Sequence, residues 1–407
     1  MRLIEGGVTS AKGFEAAGVN AGIKYKNRND MALIYSATPC VAAGVFTKNI
    51  VKAAPVVWDR TIIDTCDSMH AVIINAGIAN ACTGKDGMSY CEKTAEAAAS
   101  VFGVKKENVA VASTGVIGMQ LPIDKIVNGI DSLNLAKGSD LEHGHTSALS
   151  IMTTDTKPKE VAVEFEIGGT TARIGGMCKG SGMIHPNMCT MLCFITTDVA
   201  ISKGLLADAL RNDVEDTFNM ISVDGDTSTN DTVLLMANGE AGNVFIDSRN
   251  EDYKTFCDAL HIVMEDLSKK IAGDGEGCTC LFECKVLNAS TKENARTLAK
   301  SVITSNLTKA AIFGHDANWG RILCALGYSG VNFDPEKVDI YLESKAGELK
   351  IVENGVSTGY SEEKATEILS QDYVTALCDM KDGLESAVAW GCDLTYEYVK
   401  INGDYRS

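Results

Sequence analysis

The chain has 407 residues, and its 54 acidic and 37 basic side chains give a formal charge of −17 at pH 7. Because so acidic a protein repels phosphate backbones, we expect no nucleic-acid partner. Apolar residues make up 45% of the chain and charged residues 22%, as in soluble globular proteins. The sequence shows neither a signal peptide nor an apolar run that could span a membrane, so we expect a soluble, cytoplasmic protein with no membrane partner.

Short apolar runs predict strands, and apolar residues at three- and four-residue spacing predict helices. The predicted strands, in chain order, are 71–74, 109–112, 161–167, 191–196, 339–343 and 348–352. The predicted helices are 123–130, 205–218, 260–271 and 298–303. A last strand is predicted from the alternation of Leu394, Tyr396, Tyr398 and Lys400. Since amphipathic helices need sheets to cover, the predicted fold is α/β, a layered sandwich with outer helices over its sheets.

The cysteine and histidine patterns give no sign of a metal site. The 14 cysteines include no CxxC pair, and the six histidines form no HExxH motif. Buried reduced thiols are the better interpretation, and we expect neither a metal nor a cofactor. Phosphate-loop, dinucleotide-binding and GxSxG motifs are also incomplete.

The most informative segment is a glycine-rich turn that passes through a proline into an apolar run, from Lys179 to Leu192. Its spacing alone predicts a turn before a buried strand, with Thr190 as a strand residue, because threonine is a good strand former. The segment from Ser113 to Gly115, taken alone, is a polar turn at the end of a strand. Neither segment indicates a chemistry without its context.

Motifs along the whole chain supply that context. They are Ala43 to Asn49, Asn75 to Gly84, Ser113 to Gly118, Met152 to Thr156, Lys179 to Leu192, Ser222 to Asp231, Gly314 to Arg321 and Ile401 to Ser407. This ordered set resembles the ArgJ family of glutamate N-acetyltransferases, also called ornithine acetyltransferases. The chain departs from the family pattern at Cys189, where many members have alanine, and at Ile78, where an asparagine is common.

The resemblance implies that the precursor cuts itself between Cys189 and Thr190. An α chain, residues 1–189, and a β chain, residues 190–407, would then stay intertwined and pair into an α2β2 heterotetramer. The cut frees an α-amino group on Thr190 with an ordinary pKa near about 8. Such an amine is a suitable general base for the Thr190 hydroxyl, which is a poor nucleophile unaided. The implied fold is the one that the family shares with certain self-processing aminopeptidases.

The resemblance also assigns the remaining site residues. Thr114 and Gly115 would form the oxyanion hole that a tetrahedral intermediate needs. The residues expected to bind substrate are Thr153, Lys179, Thr190, Glu276, Asn402 and Ser407. Lys179 suits a carboxylate and Glu276 suits the δ-ammonium of ornithine. Thr154 remains an alternative to Thr153, and without the resemblance Lys179 and Glu276 would be a solvated lysine and an acidic loop residue.

The implied reaction is acetyl transfer from N-acetylornithine to glutamate through an acetyl-threonine intermediate, in arginine biosynthesis. The family includes members that only recycle acetyl groups and members that also use acetyl-CoA. We expect the second, bifunctional type, with acetyl-CoA as a co-substrate, although no residue decides between them. Two alternatives remain open: an N-terminal-nucleophile aminopeptidase or amidase of the same fold, and a binding protein without activity. Glutamate competing with water would exclude the first, and a need for the Thr190 hydroxyl would exclude the second.

Overall fold

The structure, a computed structural model, describes residues 1–185 and 191–403. Its elements form two compact units. The first unit consists of residues 1–180, 191–215 and 227–267, and the second of residues 181–185, 216–226 and 268–403. Each unit contains a β-sheet with helices packed against it, which confirms the predicted α/β class with helix-covered sheets. No helix in these residues is long and apolar enough to cross a membrane.

The strands of the described residues alternate with helices along most of the chain. In chain order the strands are β1 (Arg2–Ile4), β2 (Phe14–Val19), β3 (Met31–Phe46), β4 (Met69–Asn75), β5 (Val109–Ser113), β6 (Lys159–Ile167), β7 (Thr170–Lys179), β8 (Leu192–Thr197), β9 (Ile221–Ser222), β10 (Thr232–Ala237), β11 (Leu281–Ala289), β12 (Asp339–Ser344), β13 (Gly347–Glu353), β14 (Val356–Ser357), β15 (Tyr373–Asp379) and β16 (Glu385–Cys392). The helices are α1 (Ala54–Thr65), α2 (Asp86–Phe102), α3 (Ile123–Ala136), α4 (Leu141–Ser150), α5 (Lys203–Asp213), α6 (Glu251–Ala272), α7 (Lys292–Thr304), α8 (Asn306–Phe313), α9 (Trp319–Gly327), α10 (Glu362–Leu369) and α11 (Tyr396–Gly403).

The first unit, in its described residues, is built on a nine-stranded mixed sheet. The strand order is β1-β6-β7-β8-β10-β3-β4-β5, and β2 pairs with β3 beside this path. β8 lies between β7, which is antiparallel to it, and β10, which is parallel to it. β10 in turn pairs with β3. Strands from both sides of the predicted cleavage point therefore share one sheet.

Both faces of this sheet are buried, as its near-continuous apolar strands require. Along β4, Val72 and Ile74 belong to one hydrophobic cluster, whereas Ala71 and Ile73 belong to another. Successive side chains of a strand point to opposite faces, so the two clusters lie on opposite sides of the sheet. The second cluster includes apolar residues of α2 and α3, which cover that face.

The second unit is built on a seven-stranded sheet with the order β14-β13-β12-β15-β11-β16-β9. Helix α7 packs on β11 and β16 through an apolar face that includes Leu298 and Val302. The facing residues Phe282, Cys284 and Val286 of β11 are fully buried. The predicted hairpin is present as the antiparallel pair β12 and β13.

The strand predicted for residues 394–400 is wrong, because most of this segment is helix α11. The hydroxyl of Thr395 accepts a hydrogen bond from the backbone N–H of Glu397 at 3.2 Å, as at a helix start. Tyr396 is 83% exposed, so the alternating side chains do not mark one buried face of a strand. The alternation of Leu394, Tyr396 and Tyr398 therefore does not arise from burial of one face.

Candidate active site

Two loops of the first unit lie side by side where the parallel strands β4 and β5 end. The backbone N–H of Thr114 donates to Asn75 O at 3.0 Å, and that of Val116 donates to Gly77 O at 3.1 Å. The N–H of Ala79 returns a hydrogen bond to Val116 O at 3.0 Å. These bonds continue the strand pairing into the loops and hold the backbone of residues 114–116 in place.

Gly115 is required by this close approach. Its φ is +126°, a conformation that side-chain-bearing residues rarely adopt. A Cβ at this position would lie 2.3 Å from the carbonyl carbon and oxygen of Gly77 and 2.7 Å from the N–H nitrogen of Ile78. Among the described residues, nothing accepts a hydrogen bond from the N–H of Gly115 or bonds to the hydroxyl of Thr114. The loop therefore presents two fixed and unused donors, as an oxyanion hole requires.

A polar turn ahead of β10 links this loop to the strand that follows Thr190. The side-chain amide of Asn230 donates to Ser113 O at 2.9 Å. Its neighbour Asp231 has a carboxyl that receives a hydrogen bond from the backbone N–H of Met191. Met191 O accepts from the N–H of Thr232 at 2.9 Å, so both backbone polar groups of Met191 are hydrogen-bonded.

Asp231 is 1% exposed, and its Oδ2 atom has no hydrogen-bond partner among the described residues. Burial raises the pKa of this carboxyl well above its usual range. Hydrogen bonds from Ser228 and Thr47, the charge of Lys179 and the Met191 amide oppose that rise without cancelling it. Burial therefore favours the neutral form of the Asp231 carboxyl, which lies one residue before β10 and accepts a hydrogen bond from Met191.

A second polar cluster gathers around the buried carboxylate of Asp155. Its Oδ2 accepts the backbone N–H of Thr153 at 3.0 Å, and its Oδ1 accepts that of Gly180 at 2.6 Å. The ammonium of Lys159 donates to Oδ1 at 2.7 Å, and that of Lys179 lies 3.7 Å from Oδ2. Burial alone would raise the pKa of Asp155, but the two lysine charges hold it well below its ordinary value. Thr153 and Lys179, two predicted substrate ligands, are thus brought together by Asp155.

In the second unit, the two predicted substrate ligands Glu276 and Asn402 contact each other. The side-chain amide of Asn402, on α11, donates to Glu276 Oε2 at 2.7 Å. Glu276 is 6% exposed, and its backbone N–H donates to Ser181 O at 3.1 Å. A Cβ on Gly182 would lie 2.4 to 2.5 Å from the Glu276 carboxylate, so any larger residue there would displace that carboxylate. The loop after α6 therefore presents a carboxylate whose orientation is set by Asn402.

Three predicted residues, Cys189, Thr190 and Ser407, lie outside the described residues. Leu192, the first residue of β8, is paired in register with Lys179, so the start of β8 and the Asp155 cluster lie at the same end of the sheet.

Asp155, Asn230 and Asp231 were not predicted as site residues. The contact of Asp155 with Gly180 and that of Asn230 with Ser113 join positions 25 and 117 residues apart, which no local spacing reveals. The available signal was their presence inside two of the motifs, Met152 to Thr156 and Ser222 to Asp231.

Comparison with known proteins identifies the family of this chain. The ArgJ family model matches residues 15–407. Arginine biosynthesis bifunctional protein ArgJ 1 of Clostridium acetobutylicum is 51% identical over 401 residues, which cover 98% of this chain and 97% of that protein. The protein ArgJ of Symbiobacterium thermophilum is 50% identical over 409 residues, covering 100% of both chains.

Among solved structures, arginine biosynthesis bifunctional protein argJ of Bacillus halodurans is similar at 46% identity with a TM-score of 0.51. The match covers 53% of this chain and 99% of the Bacillus chain. This chain therefore belongs to the ArgJ family, because the family model matches almost its entire length and two relatives are 50% and 51% identical to it over nearly the full chain.

Proposed function

We propose that this protein transfers the acetyl group of N-acetylornithine to glutamate, through an acetyl ester on Thr190, as an enzyme of arginine biosynthesis. The observation that carries the proposal is the loop of Thr114 and Gly115. Its hydroxyl and N–H are unused by any described residue, and its backbone is locked against the neighbouring loop. Membership in the ArgJ family identifies the acyl transfer that such donors would serve.

The reaction has two matched halves. The free α-amine of Thr190 takes the hydroxyl proton as the oxygen attacks the acetyl carbonyl. Thr114 and Gly115 hold the negative oxygen of the tetrahedral intermediate, and the proton then passes to the departing nitrogen of ornithine. In the second half, the amine of glutamate attacks the ester, and its proton returns to the Thr190 oxygen through the same α-amine.

The substrate contacts follow from charge. Glu276, oriented by Asn402, would pair with the δ-ammonium of ornithine, and Lys179 with a substrate carboxylate. Thr153 would bind beside Lys179, since Asp155 fixes both residues. Ser407 completes the proposed set from the chain end. Because the two amino acids occupy one site in turn, ping-pong kinetics are expected.

We further propose self-cleavage between Cys189 and Thr190 and assembly of the two resulting chains as α2β2 in the cytoplasm. The solved Bacillus chain matches about half of this one, and residues 190–407 are themselves slightly more than half, which supports cleavage. Acetyl-CoA is proposed as a second acetyl donor, because the similar relatives are called bifunctional.

The first experiment is intact mass and N-terminal sequencing of the denatured protein beside its Thr190→Ala variant. We expect two fragments, the second beginning at Thr190, and a single uncut chain from the variant. Acetyl transfer from N-acetylornithine is then measured with and without glutamate. Hydrolysis that glutamate at millimolar concentration does not suppress would instead support an aminopeptidase or amidase. An uncut wild-type chain would remove the proposed general base and refute the mechanism.

A further inference from the structure

Two cysteines of the second unit lie together beside the loop of residues 273–278, which carries Glu276. The thiols of Cys278 and Cys392 are hydrogen-bond partners of each other. Cys278 ends the loop, and its Sγ also lies 3.4 Å from its acceptor Gly273 O. Cys392 is the last residue of β16, and a Cβ on Gly275 would lie only 2.8 Å from Cys392 Sγ. The two thiols therefore lie where the loop packs on the end of a strand.

A buried lysine lies beside the inner of the two thiols. Lys309, on α8, is 2% exposed, and its Nζ donates to the backbone carbonyl of Cys392 and lies 3.6 Å from Cys392 Sγ. The hydrogen bond from Cys278 and the charge of Lys309 lower the pKa of the Cys392 thiol, although its burial opposes them. The thiolate is the form of cysteine that attacks another sulfur. Cys392 is thus suited to attack an oxidised Cys278.

Exposure determines where an oxidant can enter. Cys278 is only partly buried, whereas Cys392 is 1% exposed, so a small oxidant reaches Cys278 first. A second pair in the same sheet provides a contrast. Cys284 of β11 and Cys378 of β15 are also hydrogen-bond partners, but both are fully buried. The second pair has the same chemistry without the access, and it serves as an internal control.

We propose that Cys278 and Cys392 form a site of reversible oxidation, where a peroxide joins the two thiols in a disulfide and so displaces the loop of Glu276. The Cys278 sulfur attacks the peroxide; an S–O bond forms, the O–O bond breaks, and a thiol proton leaves with the departing oxygen as water. Cys392 then attacks the Cys278 sulfur, the S–S bond forms, and the hydroxyl leaves with the second proton as water. The thiols lose two electrons and the peroxide gains them.

The loop has little room to follow this change. A disulfide needs its sulfurs about 2.05 Å apart, closer than any hydrogen bond. Gly277, between Glu276 and Cys278, packs on α11, because a Cβ there would lie 2.7 Å from Glu397 Cβ. Since Glu276 is oriented by Asn402 of the same helix, movement of Cys278 changes that contact. This consequence rests on the proposed function, in which Glu276 binds ornithine, whereas the oxidation itself does not.

The test treats the purified full-length protein with hydrogen peroxide and then removes the excess. In a digest analysed without reductant, we expect peptides linked through Cys278 and Cys392, about 2 Da lighter than the sum of the two free peptides. Cys284 and Cys378 should remain free thiols. KM for N-acetylornithine should rise about threefold or more, as expected when one hydrogen bond that orients a ligand is lost. A thiol reductant should restore both the free thiols and the original KM.

Two serine variants separate this site from general oxidation. Cys278→Ser removes the accessible thiol and should keep the unoxidised KM before and after peroxide. Cys324→Ser removes an exposed thiol on α9 and should remain as sensitive to peroxide as wild type.

Three results would overturn the proposal: Cys278 and Cys392 peptides that stay unlinked after peroxide, a disulfide that leaves KM unchanged, or a rise in KM that persists in Cys278→Ser. Should Cys278→Ser not fold, the linked peptides of wild type and their reversal with KM decide alone. Failure of the proposed function would be seen separately, as untreated wild-type protein that transfers no acetyl group to glutamate.

Discussion

Replacing Gly115 with alanine tests whether the backbone of residues 114–116 forms the oxyanion hole. The new Cβ would lie 2.3 Å from the backbone of Gly77, where ordinary contacts are 3.4 Å or longer. One of the two loops must therefore move by about 1 Å, because all three obstructing atoms belong to the backbone and no side chain can rotate away. Misplacement of a catalytic group by about 1 Å costs on the order of 100-fold, and losing one oxyanion donor costs about 100- to 1,000-fold in kcat.

The assay is kcat for acetyl transfer from N-acetylornithine to glutamate, corrected for the fraction of chain that is cleaved. Gly118→Ala is the matched control in the same loop, since Gly118 also has a positive φ, +82°, but no atom lies within 4 Å of the added Cβ. Both variants carry backbone strain of about 1–3 kcal/mol, whereas only Gly115→Ala adds the clash. We expect kcat to fall at least about 100-fold for Gly115→Ala and only slightly for Gly118→Ala. Equal activity of the two variants would refute the reasoning.

Three more predictions concern other parts of the site. Folding raises the pKa of Asp231, so the contribution of this carboxyl to stability is full below the unfolded pKa near about 4 and is lost as pH rises towards the folded pKa. The Tm of Asp231→Asn should therefore rise relative to the Tm of wild type between pH 4 and 7. A Tm difference that does not change with pH would contradict the raised pKa. Gly182→Ala should displace the Glu276 carboxylate, which lies 2.4 to 2.5 Å from the added Cβ, and raise KM for N-acetylornithine more than KM for glutamate in steady-state assays. Asn402→Ala should raise the same KM by roughly three- to tenfold through loss of the 2.7 Å hydrogen bond to Glu276, and an unchanged KM would show that Glu276 needs no orientation.

Local patterns predicted the regular elements well. The alternating segment 161–167 lies within β6, the apolar runs 71–74 and 109–112 lie within β4 and β5, and the segment 260–271 is part of α6. These predictions worked because burial on one face or both imposes a period that the sequence must keep. The prediction failed at residues 394–400 because burial did not produce the alternation there. There the two tyrosines, Tyr396 and Tyr398, alternate as in a strand, but Thr395 begins a helix. Tyr396 is exposed, so the alternation does not reflect burial.

The chemistry of the site was only partly visible in the sequence. The sequence predicts Gly115 as a turn glycine. It does not predict that Gly77 lies against Gly115, because this contact depends on the parallel pairing of β4 and β5. Asp155 and Asp231 are both buried, yet the pKa of Asp155 is shifted below its ordinary value and that of Asp231 above it. The difference comes from two lysine charges beside Asp155, and such distant contacts are set by the fold and not by local spacing.

The position of β8 within its sheet bears on what cleavage at Thr190 would do mechanically. β8 is a central strand, bonded to β7 on one side and to β10 on the other, so a cut two residues before Leu192 releases only a very short chain end. An ordinary new N-terminus frays, whereas the hydrogen bonds on both sides of β8 would hold this strand from Leu192 onward. A cut between Cys189 and Thr190 would therefore leave the pairing of β8 with β7 and β10 intact.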